Sequence, residues 1–139
     1  MIRGLGTDIV EIVRVGEMLD RHGEQFLQRV FTDDEVAYCQ QRKAYLQHFA
    51  GRWAAKEAVM KSLGTGWSRG VGFRDLEVRT LSTGQPTIAL HGDARETADR
   101  VGVGEVLVTI SHCRAYATAT AVAMAAVGPA EPPRASHAA

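Results

Sequence analysis

Apolar and polar positions follow a helical period through most of the first half of the chain and a period of two through much of the second. The chain opens on Ile2-Arg3-Gly4-Leu5-Gly6-Thr7-Asp8-Ile9-Val10, a short strand with two glycines. Glycine inside a strand marks close approach by another backbone or by a ligand. From Val13 to about Arg21 the pattern turns helical, with Val13, Met18 and Leu19 as its apolar side and Gly23 as its stop. A further helical stretch covers 24–30. Thr32-Asp33-Asp34-Glu35 then has the Thr-x-x-Glu form of a capping box, opening a helix that holds Val36, Tyr38 and Cys39. A longer helix, 49–63, ends at Gly64.

Beyond it lies a glycine-rich loop, 64–72. Positions 73–81 alternate as a strand, Ser82-Thr83-Gly84-Gln85-Pro86 forms a turn, and 87–91 is the next strand. A short helix at 93–101 closes at Gly102, and 105–112 is another strand. The last element divides two criteria. Its alanine content favours a helix by propensity. Yet every odd position from 115 to 125 is Ala, with Tyr116, Thr118, Thr120, Val122 and Met124 between them. Period two with β-branched residues predicts a strand whose small face packs closely against something. The Gly-, Pro- and Ala-rich segment 128–139 is predicted to be a disordered tail after a single domain, 1–127. There is no internal repeat. Helices cluster early and strands late, which gives an α+β class.

Composition narrows the function classes. With 139 residues and 45% hydrophobic content, the chain has enough apolar material for one core. Sixteen basic and sixteen acidic side chains cancel, which removes the broad attraction expected of a nucleic-acid binder. No apolar run approaches the roughly 20 residues of a membrane span, and no signal-peptide core opens the chain. Cys39 and Cys113 form no CxxC pair and suit free thiols in a reducing compartment. A cytoplasmic protein without nucleic-acid or membrane partners is the expectation.

The helix at 49–63 carries the densest chemistry. At 100° per residue, Phe49, Trp53, Met60 and Leu63 form one stripe, and Glu57 and Lys61 lie together at its edge. Ala50 and Ala54 beside them leave room for a ligand. Lys56 falls inside the apolar stripe, where it must snorkel or meet an anion. A carboxylate with a lysine one turn later can hold a metal ion beside a phosphate. The same pattern also serves as a surface ion pair contributing about 0.2–0.5 kcal/mol. Asp8 alone is a strand-end or turn residue; paired with Glu57 it gives the hard two-carboxylate site that Mg²⁺ uses. Ser111-His112 ends a strand and is either structural or a phosphate contact. No third residue completes a serine-hydrolase triad, and the 64–72 loop lacks the Lys-Ser/Thr ending of a P-loop.

Together, Gly6-x-Asp8-Ile9-Val10, Arg52-Trp53-Ala54-Ala55-Lys56-Glu57-Ala58-x-x-Lys61-x-Leu63-Gly64 and Ser111-His112 resemble the holo-[acyl-carrier-protein] synthases, the short single-domain 4′-phosphopantetheinyl transferases. The resemblance runs from Met1 to about Val127 and includes Gly84-x-Pro86; Trp53 stands where Phe is more usual. It implies N-terminal helices packed on a mostly antiparallel sheet. It also implies transfer of 4′-phosphopantetheine from coenzyme A to a serine of apo acyl carrier protein, releasing adenosine 3′,5′-bisphosphate and activating fatty acid or polyketide biosynthesis.

Carried onto this sequence, the resemblance makes Asp8 and Glu57 the Mg²⁺ ligands and, with Lys61, the catalytic residues. The ion orients the diphosphate and offsets charge, while Lys61 binds phosphate and stabilises or protonates the departing oxygen. Either Glu57 or water held by the ion accepts the serine proton. Arg52, Trp53, Lys61, Gly64, Thr65, Gly66, Gly84, Pro86, Ser111 and His112 then surround coenzyme A, with His112 near its 3′-phosphate, and Lys56 also faces phosphate. Arg14 and Arg21, seven apart on one helical face, meet acidic residues of the carrier. A homotrimer with sites at subunit interfaces is implied as well, and the all-Ala strand face is compatible with close packing there. Two other classes share these residues: a non-catalytic coenzyme A-binding module, and a different Mg²⁺-dependent phosphoester enzyme built on Asp8 and Glu57.

Overall fold

The computed structural model describes residues 1–64 and 71–128. Residues 65–70 of the glycine-rich loop, with Thr65 and Gly66, lie outside the described residues, as does all of the predicted tail except Gly128. The elements are β1 (Ile2–Glu11), α1 (Ile12–His22), α2 (Glu24–Val30), α3 (Asp33–Gln40), α4 (Tyr45–Leu63), a 3₁₀ turn (Phe73–Asp75), β2 (Leu76–Thr80), β3 (Pro86–Leu90), α5 (Gly92–Arg100), β4 (Val103–His112) and β5 (Tyr116–Ala125). The class is α+β, as expected. One antiparallel sheet runs β1-β5-β4, and β2-β3 forms a separate antiparallel hairpin.

Local chemistry explains the boundaries. Thr32 and Glu35 close the capping box of α3, with the Glu35 amide donating to Thr32 Oγ1 at 3.2 Å and the Thr32 amide donating to Glu35 Oε1 at 3.0 Å. Gly64 ends α4 in the left-handed conformation (φ 75°), which glycine adopts without steric cost. Residues 73–75, expected to be strand, instead curl into the 3₁₀ turn. The Asp75 amide bonds Gly72 O at 3.1 Å and the Asp75 carboxylate accepts from the Gly72 amide at 3.4 Å. Pro86 opens β3 opposite Thr80, a strand-end position that tolerates a missing N–H. In α1 the buried residues are Ile12 and Val15, whereas Val13, expected on the apolar side, is 63% exposed. The helix begins one residue earlier than the pattern suggests, and Ile12, Val15 and Leu19 become its inner stripe.

The site is positioned by the way α4 lies on the sheet. Register pairs Gly4 with Ala123, Gly6 with Ala121, Asp8 with Ala119 and Val10 with Ala117, so these residues share one face. Ala117, Ala119, Ala121 and Ala123 are buried there, and α4 packs on β1, β5 and β4. A Cβ added at Gly4 would come within 2.0 Å of Ser62 O, and one at Gly6 within 1.9 Å of Ala58 O. The close approach signalled by the strand glycines is therefore that of the α4 backbone. Two expectations change. The alanine face is covered by the chain's own helix rather than being free for a neighbouring subunit. Ala50 and Ala54 are fully buried in this packing and leave no room for a ligand.

The other side of α4 meets the N-terminal helices through an aromatic cluster. Phe31 packs on Phe49 with ring centroids 4.9 Å apart, and Phe26 stands edge-on to Phe31 and to Trp53 at 6.0 and 5.3 Å. With cover on both sides, α4 is buried over most of its circumference. Because the contact at Gly6 is with backbone, no rotamer change can relieve an added methyl. Gly6→Ala is expected to lower unfolding free energy by about 3 kcal/mol, the upper part of the overpacking range. Urea denaturation measures it, and a variant as stable as the wild type would contradict the close-packing account.

Candidate active site

Two clefts flank α4, and they differ in charge. The first, about 180 Å³, is lined by Asp8, Glu11, Arg14, Trp53, Glu57 and Tyr116. Asp8 belongs to the β1 row under α4, and Glu57 comes down from that helix so that the two carboxyl groups meet. Burial pushes the Glu57 carboxyl up to about 7, the hydrogen bond and charge of Asp8 push it the same way, and Lys61 and Arg14 oppose the rise. Lys61 does not form the i,i+4 contact with Glu57 as its main bond. Its ammonium reaches across to β1, donating to Thr7 O at 2.9 Å and to Asp8 Oδ1 at 3.2 Å. With Glu57 ionised, Asp8 Oδ2 is buried without a donor.

This arrangement fits Mg²⁺. Its donors are carboxylate oxygens, negative charge is crowded, and one buried oxygen is orphaned. Among the described residues no set of three His, Cys, Asp or Glu side chains is placed to hold a metal. A two-carboxylate site that leaves positions for substrate oxygens is the kind Mg²⁺ adopts.

The second cleft, also about 180 Å³, gathers Tyr38, His48, Arg52, Thr80, Gly84, Pro86 and His112. Arg52 is buried, donates from Nη2 to Thr80 Oγ1 at 2.9 Å, and lies 4.0 Å over the Tyr38 ring. Arg42 lies over the same ring at 3.7 Å. Burial would raise the Tyr38 phenol, but hydrogen bonds from Arg42 and Thr80 and the two guanidinium charges bring it below its usual value. His48 is depressed by burial, then by Arg52, Arg42 and His112. Arg52 Nε is buried without an acceptor. The wall of this cleft carries the Arg52 guanidinium and, among the residues lining it, no carboxylate, which suits an anion.

Three buried side-chain polar atoms among the described residues lack a partner: Asp8 Oδ2, Arg52 Nε and Trp53 Nε1. All belong to residues lining these two clefts. Buried polar atoms are normally paired, so this clustering singles out the two clefts.

The sequence-predicted residues divide between the clefts. Asp8, Glu57, Trp53 and Arg14 line the first, and Arg52, Gly84, Pro86 and His112 line the second. Gly64 is exposed at the end of α4, one turn after Lys61. Ser111 separates from His112, because strand alternation puts it in register with Thr118 on the opposite face. Lys56 faces no phosphate-binding cleft: it is fully buried against Glu35, at 2.6 Å. Arg21, in the last turn of α1, is exposed, and the residue after it, His22, lines a groove of about 120 Å³ with Met18, Gln25, Phe26 and Arg29. Tyr38, Arg42, His48 and Thr80 were not singled out from the sequence. Nothing in their spacing announces them, since they come from α3, the following turn, α4 and β2 and converge only in space.

The elevated Glu57 carboxyl fixes the sign of a pH effect. Its folded value, about 7, lies above the reference 4.5, so the folded state holds that proton more tightly than the unfolded chain. Stability from the proton is complete below about pH 4.5 and is lost as pH rises through about 7. In chelator, the protein is expected to melt at a lower temperature at pH 8 than Glu57→Gln does relative to each protein's value at pH 6. The paired comparison removes His48, whose depressed value acts in the opposite sense. Identical pH profiles for the two proteins would contradict the assignment.

Comparison with known proteins places this geometry. A family model described as the 4′-phosphopantetheinyl transferase superfamily matches residues 4–121. A holo-[acyl-carrier-protein] synthase from Gloeobacter violaceus is 53% identical over 117 residues, 84% of this chain and 88% of that protein. One from Vibrio atlanticus is 50% identical over 117 residues, covering 84% and 93%. Among solved structures, the holo-[acyl-carrier-protein] synthase of Neisseria meningitidis superposes with a TM-score of 0.83 at 30% identity, covering 89% of this chain and 99% of that one. The Bacillus anthracis synthase, solved in complex with coenzyme A (3′,5′-ADP), gives 0.75 at 34% identity, covering 91% and 99%. The chain belongs to the 4′-phosphopantetheinyl transferase superfamily.

Proposed function

We propose that the chain transfers the 4′-phosphopantetheine group of coenzyme A to a serine of an apo acyl carrier protein, with Mg²⁺, releasing adenosine 3′,5′-bisphosphate. The observation that carries the reading is the trio of unpartnered buried atoms around one anionic and one cationic cleft, in a chain whose relatives are holo-[acyl-carrier-protein] synthases. Bound by Asp8 and Glu57, Mg²⁺ supplies neutralising charge to the diphosphate. Lys61 spends two N–H groups on Thr7 O and Asp8, is 55% exposed, and keeps one N–H for a phosphate oxygen or the leaving group. The value near 7 is that of Glu57 crowded by Asp8 without a cation; Mg²⁺ would hold both groups as carboxylates, and the proton of the serine hydroxyl would pass to Glu57 or to water beside it. Arg52, Arg42, His48 and His112 take the anionic nucleotide end, His112 beside the 3′-phosphate.

The same reading includes a homotrimer with sites at subunit interfaces. Asp8 on β1 and His112 on β4 lie on the two edge strands of the sheet, with β5 between them, and the strands themselves are roughly 10 Å apart at two strand spacings. The sheet face away from α4 carries Leu5 (66% exposed), Ile9 (65%) and Leu107 (50%), an apolar surface suited to a second copy. An acidic carrier meets Arg14, which opens on the anionic cleft, and Arg21, followed by the groove of Met18, His22, Phe26 and Arg29. The reaction belongs in the cytoplasm, upstream of fatty acid or polyketide synthesis. No helix of the described residues is long and apolar enough to cross a membrane.

Incubation of an apo carrier protein with coenzyme A, Mg²⁺ and the enzyme should add the mass of one phosphopantetheine. Coenzyme A retention without turnover would support a binding module instead, and nucleotide release without a carrier would support a hydrolase. Asp8→Ala and Lys61→Ala should each lower the transfer rate at least about 100-fold with the circular dichroism spectrum retained, the size of loss seen when a transition-state charge contact is removed. Near-normal rates would remove the assigned roles. Separately, Arg14→Glu with Arg21→Glu should raise KM for the carrier about tenfold or more while KM for coenzyme A stays constant. An unchanged carrier KM would place docking elsewhere.

A further inference from the structure

Lys56 is the residue whose place the sequence leaves unexplained, and its surroundings give it a role. Its ammonium donates to Glu35 Oε1 at 2.6 Å and to Phe73 O at 2.9 Å, and lies 5.5 Å over the Phe31 ring. Glu35 Oε1 also accepts from the Thr32 amide at 3.0 Å, and Oε2 accepts from the Val78 amide at 3.1 Å. The two side chains are 0% and 1% exposed. One ion pair thus joins the first turn of α3, the middle of α4, the residue that precedes β2 by way of the 3₁₀ turn, and β2 itself.

Those are the elements that build the cationic cleft. Tyr38 stands on α3 and Thr80 on β2, while Arg52 lies one turn before Lys56 on the same side of α4. Gly84 and Pro86 lie on the β2-β3 hairpin, which among the described residues shares no strand pairing with the main sheet. Its setting against α4 therefore depends on side-chain links, and the Glu35 bond to the Val78 amide lies two residues from Thr80, the acceptor for Arg52. A buried ion pair is a poor source of stability compared with apolar side chains of the same volume; what it adds is direction.

We propose that Glu35 and Lys56 are positioning residues that set the β2-β3 hairpin against Arg52, and so fix the shape of the coenzyme-binding cleft. This rests on reading that cleft as the coenzyme site. The pair touches no substrate, and its removal acts on coenzyme affinity rather than on the chemical step.

Steady-state kinetics on the full chain tests this with the double variant Glu35→Gln/Lys56→Met, which removes both charges at nearly constant volume. KM for coenzyme A should rise about tenfold, the scale seen when residues that orient a binding group are lost. The turnover number should stay within about threefold and KM for the carrier should not change. Calorimetric titration with 3′,5′-ADP should weaken by the same factor. Glu35→Asp, which keeps the charge but shortens the reach, serves if the double variant fails to fold, and should show the same split. A folded variant with unchanged coenzyme KM, or with a loss in turnover alone, overturns the proposal. Arg52→Ala tests the underlying reading: if it binds 3′,5′-ADP as the wild type does, the cleft is not the coenzyme site and the reading itself fails.

Discussion

The contact between the backbone of α4 and the glycines of β1 is the constraint on which the rest of the structure depends. Side chains ordinarily hold a helix and a sheet apart. Here Gly4 and Gly6 present none, and the buried alanines of β5 present only methyl groups. The helix settles so closely that any added Cβ at Gly6 would fall on Ala58 O. Asp8, the next residue in that row, is then brought to Glu57 on the helix above. The carboxyl contact follows from packing, and the elevated Glu57 proton affinity follows from the burial and crowding that packing imposes.

Two lysines on α4 show how one helix separates structure from chemistry. Lys56 is fully buried and its charge is answered inside the protein by Glu35. Lys61 is more than half exposed and bonds one oxygen of Asp8, whose other oxygen lacks a donor. Five residues place the two on different sides of the helix, one toward α3 and β2, the other toward β1. Similar side chains thereby take opposite roles: the buried one sets distances between elements, while the exposed one keeps bonding capacity in reserve. The same division separates the satisfied network around Glu35 from the unsatisfied atoms of Asp8, Arg52 and Trp53.

The anionic and cationic clefts also complement each other. A dication at the first and phosphates at the second would neutralise charges that the folded chain leaves unbalanced. They sit toward opposite edges of a three-stranded sheet. The exposed Leu5, Ile9 and Leu107 occupy the face between those edges.

Much of this was legible in the residues themselves. The capping box placed α3, the odd-numbered alanines identified β5 as a strand despite their helical propensity, and the strand glycines announced a close approach. Asp8, Glu57 and Lys61 could be nominated because carboxylates and a lysine carry a recognisable chemistry at recognisable positions. Periodicity, however, reports only which residues share a face, never what covers it. It could not show that the alanine face meets α4, that Lys56 is answered by Glu35 from 21 positions away, or that Lys61 bonds Asp8 rather than Glu57. Nor could it assemble Tyr38, Arg42, His48 and Thr80 around Arg52, or part Ser111 from His112. The sequence alone determined the elements and the chemical types available; tertiary structure decided which charges are buried, which are paired and which are left for a ligand. The physical reason is that the energy of a charge depends on its surroundings, and those come from residues distant along the chain.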